Sequence, residues 1–212
     1  MPGLRIAVVN QKGGTGKTTL ALNLAAGLQR RASTLVLDAD PQASISQWAA
    51  MSGKSGQLPA VQAVAQDDVC ARIAQGARGH RYVVIDCPPT LRTTMVGDVM
   101  NNVDVLLVPI QPSPVDLWAS MDITTAVHNT RQRNPQLKAF AVLNQLDNRN
   151  VLSRLMHEAL AELEFPALRA GLARRAAYRS AAVEGTSVYG LGHRGKAAAH
   201  EVEALIEELL QS

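Results

Sequence analysis

Short runs of aliphatic residues alternate along the chain with longer segments in which apolar residues recur at helical spacing. The runs predict strands at Leu4–Val9, Thr34–Asp38, Tyr82–Asp86, Val103–Pro109 and Lys138–Asn144. The helical spacing predicts helices near residues 17–31, 67–77, 91–101, 115–132 and 151–163, and a last helix over His200–Ser212. Residues 53–59 have the composition of a loop. Strands that alternate with helices in this way predict an α/β fold.

Several of the predicted strands are nearly continuous apolar runs, such as Val83–Ile85 and Val105–Val108. Strands of this kind are typically covered by helices on both faces, as in a parallel sheet. We therefore predict a doubly wound, mostly parallel sheet flanked by helices, with ligands bound at the carboxyl ends of the strands. Because the chain has 212 residues and no internal repeat, we expect a single domain over residues 1–212.

Composition narrows the class of protein further. Apolar residues make up 47% of the chain and aromatic residues only 3%, so we expect a core of Ala, Val, Leu and Ile. Cys70 and Cys87 provide neither a disulfide framework nor metal-ligand spacing, which favours a reducing cytoplasm. No apolar run approaches the roughly 18 residues of a membrane span, and we find no signal-peptide pattern. The net charge of +3 permits an anionic partner without requiring one.

A glycine-rich segment, Asn10–Thr19, lies between the first predicted strand and the first predicted helix. Strand, glycine-rich turn and helix together are the context of a phosphate-binding loop. The glycines allow successive N–H groups to turn into one concavity, and the helix adds its positive end. Lys17 is placed to reach the β- and γ-phosphates of a nucleotide, and the Thr18 hydroxyl to ligate Mg²⁺. The residues expected around the phosphates are Gly13, Gly14, Thr15, Gly16, Lys17, Thr18 and Thr19.

The loop departs from the general pattern G-x-x-x-x-G-K-[ST], because Gln11 stands in place of the first glycine and a second lysine, Lys12, follows it. With this second lysine, the segment from Lys12 to Thr18 resembles the deviant Walker A motif of the ParA/MinD family. The resemblance implies that Lys12 crosses a dimer interface and contacts the phosphates held by the other subunit. It also implies catalytic roles for Lys12 and Lys17. The alternative interpretations are a solvated loop lysine and a glycine-rich surface turn.

Two carboxylate motifs follow the second and third predicted strands. The segment Asp38-Ala39-Asp40-Pro41-Gln42 is similar to the family's switch I, which implies that Asp40 orients the attacking water and that Asp38 lies near the metal ion. The alternative is that Asp38 caps a helix. Tyr82–Asp86 has the form of a Walker B strand, in which Asp86 would hold Mg²⁺, and the following Cys-Pro-Pro resembles switch II. No histidine lies nearby in sequence to activate Cys87, so we interpret it as a packing residue.

Two further segments resemble family motifs less specifically. Pro109–Asp116 resembles a dimer-facing loop, and Ser113 is expected to cap the helix that Pro114 begins. Asn144 falls where family members place an amide that binds the adenine edge of the nucleotide. A turn residue is the alternative interpretation of Asn144.

The C-terminal part of the chain is basic, with six Lys/Arg residues and one acid, Glu184, between Phe165 and Ala199. The order Arg174-Arg175-x-x-x-Arg179 resembles the ParA segment that contacts the DNA backbone. With two arginines of the preceding predicted helix, the expected DNA contacts are Arg149, Arg154, Arg174, Arg175 and Arg179. Because phosphate contacts carry no sequence information, such binding would be non-specific. A solvated charged face is the alternative.

The last predicted helix is amphipathic and acidic. Its apolar stripe is formed by Val202, Leu205, Ile206, Leu209 and Leu210, and its polar side by Glu201, Glu203, Glu207 and Glu208. MinD-like relatives end in a basic amphipathic helix that attaches to anionic lipid. An acidic helix would be repelled there, so we expect this helix to pack on the core and predict no membrane partner.

Taken together, the motifs resemble a short ParA-type ATPase without an N-terminal helix-turn-helix. The resemblance implies a cycle in which Mg-ATP builds a sandwich homodimer, the dimer binds DNA, and a cargo-side ParB-like or adaptor protein stimulates hydrolysis. The expected cofactors are ATP and Mg²⁺, and the expected location is the cytoplasm, on the nucleoid. The cargo, a plasmid or a cellular body, is left open. The alternatives are a MinD-like membrane-associated regulator and a biosynthetic ligase built on the same core.

Overall fold

The computed structural model describes residues 3–52, 58–147, 160 and 163–212, apart from the side chains of Gln66 and of residues 114–121. Its strands are β1 (Leu4–Val8), β2 (Thr34–Asp38), β3 (Ala60–Ala63), β4 (Tyr82–Asp86), β5 (Val105–Ile110), β6 (Lys138–Leu146) and β7 (Leu172–Ala173). They form one seven-stranded sheet in the order β3-β2-β4-β1-β5-β6-β7, and every pairing is parallel. From β1, the sheet extends through β4, β2 and β3 on one side and through β5, β6 and β7 on the other. This two-sided arrangement is expected of a doubly wound sheet.

Helices cover both faces of the sheet. They are α1 (Lys17–Gln29), α2 (Ser44–Met51), α3 (Val69–Gly79), α4 (Thr94–Asn101), α5 (Pro114–Arg131), α6 (Ala176–Val183) and α7 (Lys196–Gln211). The core on one face receives side chains from α1, α2, α6 and α7, and the core on the other face from α3, α4 and α5. Ile6 of β1 packs into the first core and Ala7 into the second, both fully buried. This alternation confirms that the continuous apolar runs belong to a sheet covered on both sides.

The predicted elements agree with the structure where hydrophobic patterning is strong. Strands β2 and β4 have the predicted bounds, β1 is one residue shorter, and β6 continues two residues further, to Leu146. The last helix begins at Lys196, four residues before the predicted start. Most of the helix predicted over residues 151–163 lies outside the described residues. Among the α-helices and strands of the described residues, α2, β3, β7 and α6 were not predicted.

Helix α7 packs on the body of the protein, as predicted, and its carboxylates contribute to the contact. Glu203 pairs with Arg31 of the segment after α1 at 2.6 Å, and both carboxylate oxygens of Glu208 accept backbone N–H groups at 2.8 Å. The predicted apolar stripe is wrong at one position, because Leu210 is 41% exposed. Within the described ranges, no helix combines the length and the apolar character needed to cross a membrane.

Candidate nucleotide-binding site

The loop between β1 and α1 is anchored by its own first residues. The Asn10 side-chain amide donates to the Pro109 carbonyl at 2.7 Å, and its oxygen accepts the Lys12 N–H at 3.0 Å. Gln11, at the position where the general motif has glycine, donates to the Asp122 carboxylate on α5 at 3.1 Å. The residue that departs from the motif, Gln11, therefore links the loop to α5 by a hydrogen bond.

Two glycines of this loop have left-handed backbone angles, with φ of 79° at Gly14 and 90° at Gly16. A side chain would be strained in either conformation. At Gly16 there is also no space, since a Cβ would lie 2.2 Å from the Asn144 amide nitrogen. Left-handed residues interspersed among others turn backbone N–H groups toward one side, and that geometry binds anions.

Lys17 begins α1 and is buried, with 6% of its surface exposed. Its ammonium group donates to the Lys12 carbonyl at 3.0 Å. Burial lowers the pKa of Lys17, and the negative charges of Asp86 and Asp40 partly oppose that shift. A buried ammonium group with one backbone partner is suited to an anionic ligand, because phosphate oxygens would provide negative charge and further hydrogen-bond acceptors.

Two carboxylates lie beside the loop at the carboxyl ends of adjacent strands. Asp38 and Asp86 are register partners on β2 and β4, and Asp86 is also the register partner of Val8 in β1. Asp38 accepts the Ser46 N–H at 2.8 Å and the Ser46 hydroxyl at 2.7 Å with one carboxylate oxygen. Asp38 therefore satisfies an N–H group in the first turn of α2, whose N-cap position is Ala43, and its role near a metal ion stays a prediction.

The remaining carboxylate oxygens are buried without hydrogen-bond partners in the described part of the chain: one of Asp38 and both of Asp86. Burial, helped by the charge of Asp38, raises the pKa of Asp86 to about 7, although the nearby Thr18 hydroxyl and Lys17 oppose the shift. The Thr18 hydroxyl is thus close enough to Asp86 to favour its charged form. Two carboxylates and a hydroxyl fit a Mg²⁺ ion that takes its other ligands from water and phosphate.

Two adjacent cavities border the loop. One, of about 340 Å³, is lined by Asp40 and Pro89 together with loop and α1 residues from Gly13 to Thr19. The other, of about 250 Å³, is lined by Asn144, Ala173 and α6 residues, and it shares Gly16, Thr19 and Gln145 with the first. We interpret the first as the phosphate side and the second as the base side of a nucleotide site, since only the first contains the lysine and carboxylate.

The structure orients Asn144 toward the loop. Its amide nitrogen donates to the Thr15 carbonyl at 2.7 Å, and its oxygen accepts the Gln145 N–H at 2.9 Å. Asn144 also lines the base-side cavity, so its contact with adenine stays a prediction. Sequence reasoning missed Gln111 and Gln145, whose amides donate to the Gly14 carbonyl at 2.7 and 3.1 Å.

The three described arginines of the expected DNA set lie around the base-side cavity. Arg174 and Arg179 are exposed, whereas Arg175 pairs with Glu201 of α7 at 2.7 Å. Arg149 and Arg154 lie outside the described residues. A role in DNA binding therefore stays a prediction for all five.

A more spacious groove, of about 910 Å³, lies at the opposite end of α1. Arg30, Arg31, Tyr189 and the first turn of α7 line it, and the Arg30 guanidinium stacks over the Tyr189 ring at 5.1 Å. Its size does not make it the nucleotide site, because the glycine-rich loop and the paired carboxylates are elsewhere.

The other motif residues have structural roles. Cys87 is fully buried, and burial raises the pKa of its thiol, so the packing interpretation of this residue is supported. Helix α5 begins at Pro114 as predicted, but Ser113 makes no capping hydrogen bond. The predicted cap is wrong in that respect, and the fixed φ of Pro114 is what favours the helix start.

Comparison with known proteins agrees with this geometry. Residues 6–188 match the family model of the CobQ/CobB/MinD/ParA nucleotide binding domain. The chain is 39% identical over 209 residues to the maintenance of carboxysome distribution protein A of Halothiobacillus neapolitanus, covering 98% of this chain and 96% of the relative.

Two solved structures share the fold at low identity. The ATP complex of a substituted variant of Cyanothece McdA superposes with a TM-score of 0.71 at 18% identity, covering 98% of this chain and 96% of the other. Cobyrinic acid a,c-diamide synthase from Mycobacterium smegmatis, with a bound ATP analogue and magnesium, superposes with a TM-score of 0.74 at 20% identity, covering 98% and 95%. The family match spans most of the 212 residues, and we conclude that the chain belongs to the CobQ/CobB/MinD/ParA nucleotide-binding family.

Proposed function

We propose that this protein is a magnesium-dependent ATPase that positions a cellular cargo, and that the cargo is the carboxysome. The observation that carries the proposal is the pair Asp38 and Asp86, which hold unpartnered carboxylate oxygens beside a glycine-rich loop and a buried lysine. Supporting the choice of cargo is the 39% identity, over nearly the full length of both chains, to a protein named for carboxysome distribution.

In this proposal the chain's own groups bind and orient the nucleotide. The N–H groups of the loop and the Lys17 ammonium bind the phosphates, while Thr18, Asp38 and Asp86 hold Mg²⁺. The metal, when bound, neutralises phosphate charge that develops during transfer. Asp40 lines the phosphate-side cavity and would orient the attacking water, a positioning role that needs no covalent chemistry.

Lys12 and a second copy of the chain complete the site. Lys12 would contact phosphates held by the partner subunit, so ATP would join two subunits face to face. The ATP dimer would bind DNA without sequence preference, and a ParB-like or adaptor protein on the cargo would stimulate hydrolysis and release. The carboxylates of α7 pair with arginines and accept backbone N–H groups of the protein itself. These contacts favour binding to DNA over attachment of α7 to anionic lipid.

Deletion of the gene in the organism that carries it tests the cargo. We expect carboxysomes, imaged by a fluorescent shell or cargo protein, to cluster when the gene is deleted and to spread again when the parent gene is restored. Restoration with an Asp40→Ala gene should not spread them, because the proposed cycle needs hydrolysis. Normally distributed carboxysomes in the deletion strain would contradict the choice of cargo, while leaving the ATPase activity to be measured separately.

A further inference from the structure

Three side-chain amides hold the outer side of the phosphate loop. Gln111 directly follows β5, and Asn144 and Gln145 lie near the end of β6, so all three lie at the carboxyl ends of strands other than the one that leads into the loop. Gln111 and Gln145 both donate to the Gly14 carbonyl, at 2.7 and 3.1 Å. Asn144 donates to the next carbonyl, that of Thr15, at 2.7 Å. We call these three residues the amide clamp.

The clamp determines where two backbone N–H groups point. In a planar trans peptide, the carbonyl and the N–H point in opposite directions. Holding the Gly14 carbonyl therefore orients the Thr15 N–H to the opposite side, and holding the Thr15 carbonyl does the same for the Gly16 N–H. These two N–H groups belong to the part of the loop that is expected to surround the phosphates.

The backbone at Gln145 carries strain that the clamp explains. Gln145 has a left-handed φ of 59°, and Ala43 is the other non-glycine residue with a positive φ in the described ranges. Such a conformation is unfavourable for a residue with a β-carbon and persists where surrounding contacts hold it. The contacts are present here: its N–H donates to the Asn144 oxygen at 2.9 Å, and its side chain reaches the Gly14 carbonyl.

We propose that Gln111 and Gln145 are positioning residues for nucleotide binding, which act through the Gly14 carbonyl to aim the loop's N–H groups at the β- and γ-phosphates. Asn144 acts in the same way through the Thr15 carbonyl. This inference rests on the proposed nucleotide-binding function and adds to it the residues that shape the loop. Since the clamp consists of neutral amides, it holds the loop without adding a charge that would compete with phosphate.

Gln111 provides the cleanest test, because it lines neither of the two cavities beside the loop. In Gln111→Met the side chain keeps its length but loses the N–H donor. We expect affinity for fluorescent mant-ATP and mant-ADP to fall roughly 2- to 12-fold, the effect of one ordinary hydrogen bond. AMP lacks the β- and γ-phosphates, so the affinity of Gln111→Met for AMP should stay within about twofold of the parent's affinity. The matched control is Gln75→Met on α3, an exposed glutamine remote from the loop, which should bind all three nucleotides as the parent does.

The double variant Gln111→Met/Gln145→Met tests whether the two glutamines share one task. Because both donate to the same carbonyl, each single variant leaves the other donor in place, and the loss of ATP affinity in the double variant should exceed the product of the single losses. Thermal melts followed by circular dichroism show whether each variant folds. If the double variant does not fold, the affinities of Gln111→Met for ATP, ADP and AMP provide the test of the clamp. If Gln111→Met bound ATP as tightly as the parent does, or lost equal affinity for AMP and ATP, the proposed role of the clamp would be overturned. Failure of the parent to bind any nucleotide would instead overturn the proposed function itself.

Discussion

Asp38 and Asp86 are register partners on neighbouring strands, and one oxygen of Asp38 and both oxygens of Asp86 are buried without a hydrogen-bond partner in the described structure. Burial and the charge of Asp38 both disfavour the charged form of Asp86. Such an arrangement persists in a folded protein when a ligand supplies the compensating charge. The unfavourable electrostatics of the ligand-free site are therefore consistent with the binding of a cation there.

Replacing Asp86 should stabilise the ligand-free protein. The pKa of Asp86 is raised from 3.8 to about 7 in the folded state, so between these pH values the folded state binds a proton that the unfolded state releases. The stabilisation that this proton provides is lost as pH rises through 7. We expect Asp86→Asn to increase the free energy of unfolding at pH 8 by about 1–3 kcal/mol, and by much less at pH 5. Urea denaturation at both pH values measures this difference. An equal effect of the substitution at the two pH values would show that the buried charge is not its cause.

The two loop lysines should differ in what their loss removes. Lys17→Ala should abolish nucleotide binding, because its ammonium group is buried at the start of α1, directly after the glycine-rich loop. Lys12→Ala should still bind ATP as a monomer but should not dimerise. Equilibrium binding of mant-ATP and light scattering with ATP separate the two effects. Dimers of Lys12→Ala in ATP would refute the proposed contact across the interface.

DNA binding should depend on Arg174 and Arg179, which are exposed beside the base-side cavity. The logarithm of affinity should fall with the logarithm of salt concentration at a slope of roughly −0.9 per phosphate contact. Each alanine substitution should make the slope shallower by about one contact and leave ATP-dependent dimerisation intact. Arg30→Ala, in the groove at the other end of α1, is the matched control. A loss of binding in Arg30→Ala alone would move the DNA contact to that groove.

Local sequence signals predicted much of the sheet and the phosphate loop. The glycine-rich loop, Asp38 and Asp86 are found where local motifs place them, because each motif lies at the end of an apolar strand that the core buries. The exposed edge strand β3, Ala60–Ala63, was missed because its side chains are largely outside the core and carry little pattern.

The contacts that shape the site could not be predicted from sequence because they join distant segments. Gln111 reaches Gly14 across 97 positions, and Glu201 reaches Arg175 from a helix that sequence reasoning assigned only to packing. A glutamine after a strand has no local signature that distinguishes a clamp from a solvated surface residue. The fold brings these groups together, and only the assembled sheet shows the contact.

The central claim, an ATP dimer that hydrolysis takes apart, is tested most directly by following mass and phosphate release together in Asp40→Ala and the parent. With Mg-ATP, we expect the parent to double from 22.6 kDa and to return to monomer as phosphate is released. Asp40→Ala should form the same dimer and keep it, with phosphate release reduced at least tenfold, on the order of a lost water-positioning group. A parent that stays monomeric in Mg-ATP, or an Asp40→Ala variant that turns over at the parent's rate, would contradict the account.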